Sequence, residues 1–443
     1  MENSSDIKRV VIVGGGFAGL NCAQRLAAHT NLQITVLDRN NYQQFQPLLY
    51  QVATGTLSPD NAAFNLRAVL AGHDNIDVVM TEVQSVDLTT RTAHAADGDE
   101  FQGDFLVLAA GAEPNFFGIP GVKENAFPLY SLLDAERLRS RLLDALETAD
   151  REARKRTEPL RFIVIGGGAT GVEIAGAIGD VLKRTPSQTF KHVDLKHASV
   201  TLIDMAKTVL APFGKHSQEY ATEMLQQRGV ELLLGVSVSE VTKTGVTLSD
   251  GTKISSELVI WGGGLKASSL SGSLGIKAGR GGRVDVMPDL SVAGFPGVYA
   301  LGDFANFKTA SGEVLPQLAS VAQQAGRHCA KNIAAAASGQ PGKPFEYLDK
   351  GIMAMVGRNA AVAEVGSSRH TVTGTLAFAA WLGVHALLLT SVRAKVETFL
   401  EWSWEYFGHV RVDPILDRPD VDWSNGMSAS RSDNNLARDS SAA

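Results

Sequence analysis

Two stretches of the chain follow one hydrophobic plan. The first, KRVVIVGGGFAGLNCAQRLA followed by QITVLD, sets a β-branched apolar run before a glycine turn, an Ala/Leu-rich helix and a second apolar strand closing on aspartate. About 150 residues later, LRFIVIGGGATGVEIAGAIGDVL followed by SVTLID does the same. Short apolar runs without alternation, bounded by glycine, read as strands buried on both faces, and each pair predicts a βαβ unit opening a parallel, doubly wound sheet. A mixed region follows each unit and closes on a strand running into glycines, DFLVLAAGAEP at 104–114 and ELVIWGGGLKAS at 257–268. A third such strand, GVYALGDFA at 297–305, leads into a helix over PQLASVAQQAGRHCAKNIA. Linkers are expected near Pro114–Pro128 and Met287–Pro296, and the Gly/Pro-rich SGQPGKPF at 338–345 opens a C-terminal region.

The fold class expected is α/β with two Rossmann-type dinucleotide-binding domains and a C-terminal amphipathic region. A chain of 443 residues accommodates two to three domains. Its net charge of -6 gives no electrostatic footprint for nucleic acid. The two cysteines, Cys22 and Cys329, form no CxxC pair, which argues against a disulfide framework, a thiol relay or a cysteine-ligated metal. His192 and His197, in the insertion KRTPSQTFKHVDLKH, have no acids or cysteines at ligand spacing, so no metal is expected. The polar start MENSSDI reads as no secretory leader, and 424–443 as a disordered tail.

Gly14, Gly16 and Gly19 form a GxGxxG directly after a strand and opening a helix. The spacing suits a tight turn, a close approach to pyrophosphate, and close packing of helix on strand, with free N–H groups at the helix start for the phosphates. Asp38, 19 residues on, ends the second strand, where a carboxylate accepts both ribose hydroxyls of an adenosine. Gly166, Gly168 and Gly171 repeat the motif, with Asp204 delayed to 33 residues by the polar insertion. An acid at 204 favours NADH over NADPH, with Lys207 nearby weakening that preference. Asp303, in GVYALGD, can bond the ribityl chain of a flavin.

Two such units plus this third motif resemble the glutathione-reductase-like flavoproteins over about residues 8–340. The resemblance implies FAD on the N-terminal unit and NAD(H) on the inserted one. RNNYQQFQPLLYQVATGTLSP, after Asp38, is similar more narrowly to the type II NADH dehydrogenases, single-subunit NADH:quinone oxidoreductases. That resemblance implies hydride transfer from NADH to FAD and two electrons to a membrane quinone; no transmembrane proton path is evident in the sequence, so no proton pumping is expected. Carried over residue by residue, it adds Phe17, Ala18, Arg39, Gln46, Val83, Gly111 and Ala322 to the FAD site and Gly263 to the NAD site. Glu173, two residues past Gly171 and expected in the first turn of its helix, would face the nicotinamide–flavin junction and relay protons, although a carboxylate in that turn also gains from the dipole. Ser320 stands where the family carries the first glutamine of AQxAxQ, and Gln324 keeps the second. Both are candidate quinone partners, with Gln317 and Gln323 as possible compensation.

Residues 370–392 contain no Asp, Glu, Lys or Arg, and their dense apolar part, about Leu376–Leu389, suits an interfacial or buried helix better than a span. In the following RAKVETFLEWSWEYFG, Val396, Phe399, Leu400, Trp404 and Phe407 share one helical face and Glu397, Glu401 and Glu405 another. Arg393 and Lys395 suit anionic headgroups, and Trp402, Trp404 and Tyr406 a membrane interface. The resulting expectation divides the chain into 1–115 with 290–340 for FAD, 116–289 for NAD(H) and 341–423 as an anchor and dimer region. The protein is read as a homodimer on the cytoplasmic face of the membrane. Rivals are a soluble reductase of a protein carrier and a nicotinamide-sensing flavoprotein scaffold.

Overall fold

A computed structural model of the chain describes residues 7–407. The 424–443 tail, residues 408–423 and the side chains of Glu405, Tyr406 and Phe407 lie outside the described residues. Six helices matter to the site: α1 (Phe17–Leu26), α2 (Leu132–Glu152), α3 (Ala169–Arg184), α4 (Ala319–Ala337), α5 (Gly374–Leu388) and α6 (Val392–Phe407).

The two apolar runs open two five-stranded parallel sheets. In the first, Val298–Ala300, Phe105–Leu108, Lys8–Val13, Leu32–Asp38 and Ile76–Met80 lie side by side in that order. In the second the order is Ala126–Pro128, Leu258–Trp261, Arg161–Ile165, Ser199–Asp204 and Val230–Leu234. Val10 to Val13 and Phe162 to Ile165 are buried throughout, as strands with helices or sheets on both faces must be. Each glycine-rich strand end seen in the sequence sits beside its partner unit: Leu108 pairs with Val13, and Trp261 with Ile165.

The expected linkers carry local structure. Ala112–Pro114 pairs antiparallel with Leu265–Ala267, and Val122–Asn125 is one helical turn. α2 begins at a complete capping box in which Ser131 and Asp134 satisfy each other's main-chain N–H groups. The C-terminal region folds as a three-stranded antiparallel sheet, Gly351–Gly357, Ala360–Val365 and His370–Thr373, followed by α5 and α6. That sheet is set directly on α3. A Cβ on Gly176 would come 1.9 Å from the Val356 carbonyl oxygen, so only glycine permits this approach. Asp180 accepts the Arg358 N–H and pairs with Arg228, fastening the same helix one turn further on.

Candidate functional site

The two glycine turns are built alike. Gly14 has φ +104°, and a Cβ there would meet Ala109 O at 2.3 Å; Gly166 has φ +115° and would meet Gly262 O at 2.4 Å. A Cβ on Gly19 would fall 1.8 Å from Gly14 O, and one on Gly171 falls 1.7 Å from Gly166 O. Helix and turn are therefore in van der Waals contact through the third glycine. Gly16 and Gly168 differ from these: nothing lies within 4 Å of an added Cβ. Their open side faces where a phosphate would approach the starts of α1 and α3. Gly263 lies by the second turn, its backbone N 2.9 Å from a Cβ at Gly166.

The strand-end acids tie down these turns. Asp38 accepts the Gly15 N–H at 2.7 Å and the Asn40 N–H at 2.8 Å. Burial pushes its carboxyl above the usual range, against the pull of those bonds and of Arg39. Asp204 likewise accepts from Gly167 and, at 2.6 Å, from Ala206. The Thr81 N–H donates to Asp38 O, which sets the strand carrying Val83 beside the first turn.

Asp303 is the middle residue of the short turn Gly302–Phe304, between strand 298–300 and α4. Burial pushes its carboxyl up to about 6, although the Tyr130 hydroxyl and Arg283 both favour its charged form. Tyr130, 3.4 Å from Asp303, also receives the Ala112 N–H and lies 3.7 Å from a Cβ at Gly111. The sequence reading missed Tyr130; its position between a strand end and the capping serine of α2 is the signal that could have found it. At Gly302 an added Cβ would touch both Ala18 and Ala322, which shows that the starts of α1 and α4 converge here. Gln46 has a buried Oε1 without a hydrogen-bond partner, and the preceding Phe45 packs on Phe17 at the start of α1. A cradle open only at Gly16, a ring of small residues at Ala18, Gly302 and Ala322, and this orphaned acceptor fit a bound dinucleotide such as FAD.

Glu173 is the fifth residue of α3, with no acid in the helix's first turn. The dipole account of this carboxylate is thereby weakened, since that effect is confined to the terminal turn. It is half-buried and accepts the Met355 N–H at 3.2 Å; burial pushes it up to about 8. Ser320 and Gln324 are brought elsewhere. The Ser320 hydroxyl is 2.9 Å from the Tyr347 hydroxyl. The Gln324 amide donates to Leu348 O and accepts from Leu348 N, both at 3.0 Å. Gln317 donates to Asp303 O. The face of α4 bearing both candidate quinone partners is thus engaged by segment 347–348.

A cavity of about 770 Å³ opens between α2, α3, segment 50–56 and helices α5 and α6. Its walls are mainly apolar, among them Leu142, Ala177, Met355, Phe378 and Leu382. Trp402 corrects the sequence reading: it is buried, not interfacial, and donates to Gln51, whose amide reaches the Tyr50 hydroxyl. Val396, Phe399, Leu400 and Trp404 are exposed together as the helical spacing implied. Cys22 and Cys329, remote in sequence, face each other in the buried contact of α1 with α4. His192 and His197 stay at the surface, His197 against Asp194.

Two matched dinucleotide cradles on parallel sheets define a pyridine-nucleotide oxidoreductase. Residues 8–326 match the family described as pyridine nucleotide-disulphide oxidoreductase. The type II NADH:quinone oxidoreductase Ndh of Mycobacterium tuberculosis is 38% identical over 411 residues, covering 89% of this chain and 87% of that one. A type II NADH:quinone oxidoreductase of Staphylococcus saprophyticus is 28% identical, covering 82% and 90%. The solved structure of NDH2 from Plasmodium falciparum in complex with NADH superposes with a TM-score of 0.81 at 20% identity, over 91% of this chain and 99% of that one, and shares its fold. The chain belongs to the type II NADH:quinone oxidoreductase family.

Proposed function

We propose that the protein oxidises NADH with bound FAD and reduces a quinone drawn from the membrane. The observation that carries the quinone half is the apolar cavity, which reaches α3 one turn from Glu173. Ala177 lines it, and residues four apart on a helix share a face. Met355, whose N–H holds Glu173, lines it as well. FAD when bound supplies the two-electron relay between nicotinamide and quinone. The first turn, Asp38, Asp303 and the residues around Ala18 and Ala322 would hold it. The second turn and Asp204 would hold NADH. Glu173, protonated at neutral pH, holds a proton for quinone reduction beside the cavity. The division into an FAD part (1–115 with 290–340), an NAD(H) part (116–289) and a C-terminal part (341–423) belongs to this reading. So do a homodimer and attachment to the cytoplasmic face through α5 and α6. NADH turnover with soluble ubiquinone and menaquinone analogues tests it; bleaching of the flavin by NADH without turnover on either would overturn it.

Two variants test the cofactor assignment. Asp303→Ala is expected to weaken FAD about 10- to 100-fold, the effect of losing one charge-assisted hydrogen bond. The flavin-to-protein ratio after gel filtration reads this, and an unchanged ratio would remove Asp303 from the site. Asp204→Ala is expected to raise KM for NADH by a similar factor while changing KM for NADPH far less. Because Asp204 also holds the Gly167 and Ala206 N–H groups, Asp204→Asn serves as the control for loop geometry. Equal wild-type use of NADPH would count against the assignment.

A further inference from the structure

The carboxyl ends of three strands in the second sheet stand level. Ile165 pairs with Ile203 on one side and with Trp261 on the other. Asp204, the turn 166–168 and the glycines 262–264 therefore follow one another along a single edge. From Arg161–Ile165 the chain builds outward through Ser199–Asp204 and Val230–Leu234, then returns to place Leu258–Trp261 on the opposite side. The strand order thus reverses between the ends of Arg161–Ile165 and Leu258–Trp261, and ligands of such sheets lie in the crevice at that reversal. With the adenosine ribose on Asp204 and the pyrophosphate over the glycine turn, the nicotinamide half of NADH extends toward residues 262–264.

An aromatic ring is held at that end in a costly conformation. Phe117 has φ +50°, a region that bulky residues rarely adopt, and is 63% exposed. Core packing accounts for neither property. The adjacent Phe116 takes the inward role, edge-on to the buried Trp261 at 5.9 Å. Phe117 meets the same indole at 6.4 Å and 53° and leaves most of its surface free. Asn115 fixes this arrangement: its N–H donates to Gly264 O at 3.0 Å, and its side chain accepts the Phe117 N–H at 3.1 Å. A Cβ on Gly264 would come 3.4 Å from the tip of the Phe117 ring, and φ +129° reserves that position for glycine. The ring therefore overhangs bare main chain at the end of the crevice, the kind of place where strained backbone serves as a ligand clamp.

We propose that Phe117 packs on the nicotinamide half of bound NADH, an inference that rests on NADH occupying the second glycine turn. The contact is apolar: the ring shields the nicotinamide nucleotide from water and holds it for hydride transfer to the flavin. It acts on one half of the dinucleotide, whereas Asp204 acts on the adenosine half.

The test uses full-chain, FAD-loaded protein under anaerobic conditions. The concentration dependence of flavin bleaching by NADH gives the apparent dissociation constant, and inhibition by ADP, which carries only the adenosine half, gives the second measurement. Phe117→Gly removes the ring and suits the backbone at φ +50°, so the loop is kept. Its dissociation constant for NADH is expected to rise about tenfold, the loss of one aromatic contact, while the inhibition constant for ADP moves by less than about twofold. Phe117→Tyr, which keeps the ring, is expected to stay close to wild type. Asp204→Ala should weaken NADH and ADP together. Flavin content reads the integrity of the first cradle. An unmoved NADH constant in Phe117→Gly, an ADP constant that rises in step with it, or a tyrosine as impaired as glycine overturns the proposal. Failure of NADH to bleach the wild-type flavin is a separate readout and overturns the cofactor assignment itself.

Discussion

Glu173→Gln is expected to slow NADH:quinone turnover about 100-fold at neutral pH, the usual range for losing a positioned proton donor, while NADH still bleaches the flavin at the wild-type rate. Burial dominates the environment of this carboxyl. The single Met355 N–H bond favours its charged form but does not offset the loss of water, and the group is pushed up to about 8. It therefore carries a proton at pH 7, where an ordinary glutamate does not. Glutamine keeps the volume and an acceptor for Met355 but has no proton to give. Wild-type quinone reduction is expected to fall as pH rises through about 8, and the variant's residual rate to lack that limb. Stability follows the same sign. The folded pKa lies above the ordinary 4.5, so the folded state holds the extra proton between the two values. That contribution is complete below about pH 4.5 and is lost as pH rises through 8. The full shift corresponds to ~5 kcal/mol, an upper bound because part of the side chain still meets solvent. Glu173→Gln should flatten the fall in Tm over this window. An unchanged rate and an unchanged pH profile would leave Glu173 as a packing residue.

The parts of this molecule that were legible in its sequence are those whose physics is local. Each glycine turn is decided within about six residues by contacts such as Gly19 on Gly14 and Gly171 on Gly166, so motif and geometry coincide. Asp38 and Asp204 end their strands because the apolar runs stop there, and the structure has each holding its own turn. The apolar face of α6 was legible for the same reason, since helical spacing alone puts Phe399 and Leu400 near Val396 and Trp404. What the sequence did not reveal depends on segments that meet across the chain. Ser320 and Gln324 read as open to a ligand, yet Tyr347 and Leu348 engage them from a stretch with no periodic pattern. Trp402 read as interfacial by composition, and its Nε1 instead finds Gln51, 351 residues away. Gly176 reads as an ordinary small residue of a dinucleotide helix; only the strand laid across it shows why no side chain fits.

That packing joins the two halves of the proposed reaction. α3 presents the second glycine turn at its start, Glu173 at its second turn, and Gly176 and Asp180 against the strand that leads to the C-terminal helices. The nucleotide turn, the proton-holding carboxyl and one wall of the cavity are thus carried on one rigid element.

Replacing Leu376, Leu387, Phe399, Leu400 and Trp404 by serine is expected to release the protein from membranes with the fold and flavin intact. These side chains are 77%, 74%, 63%, 60% and 63% exposed, a concentration of bare apolar surface on two adjacent helices. Their opposite faces are spent inward: Ala377 and Trp381 from α5, and Ala394, Thr398 and Trp402 from α6, are buried. Among the described residues no helix is long and apolar enough to cross a membrane, so the exposed faces would lie in the plane of the interface. Full burial of one such side chain is worth ~1.5–3 kcal/mol. Half-insertion of five then gives on the order of 5 kcal/mol, or ~10³- to 10⁴-fold in membrane partition. Arg393 and Lys395 beside this face add attraction for anionic headgroups, which salt should screen while leaving the apolar term. Cutting the chain after Ser368 is the blunter test, because it also removes Trp381 and Trp402 and bares the core they cover. The serine variant leaves those in place and is measured by flotation on vesicles with and without anionic lipid. Turnover with a long-chain quinone in vesicles should fall with membrane binding, and by more than turnover with a short soluble analogue: Phe399, Leu400 and Trp404 also line the cavity, but its inner wall formed by Phe378 and Leu382 is kept. Retention on vesicles at wild-type level would sink the anchor. A loss of self-association in the serine variant, without any change in flotation, would assign the same face to a second copy of the chain.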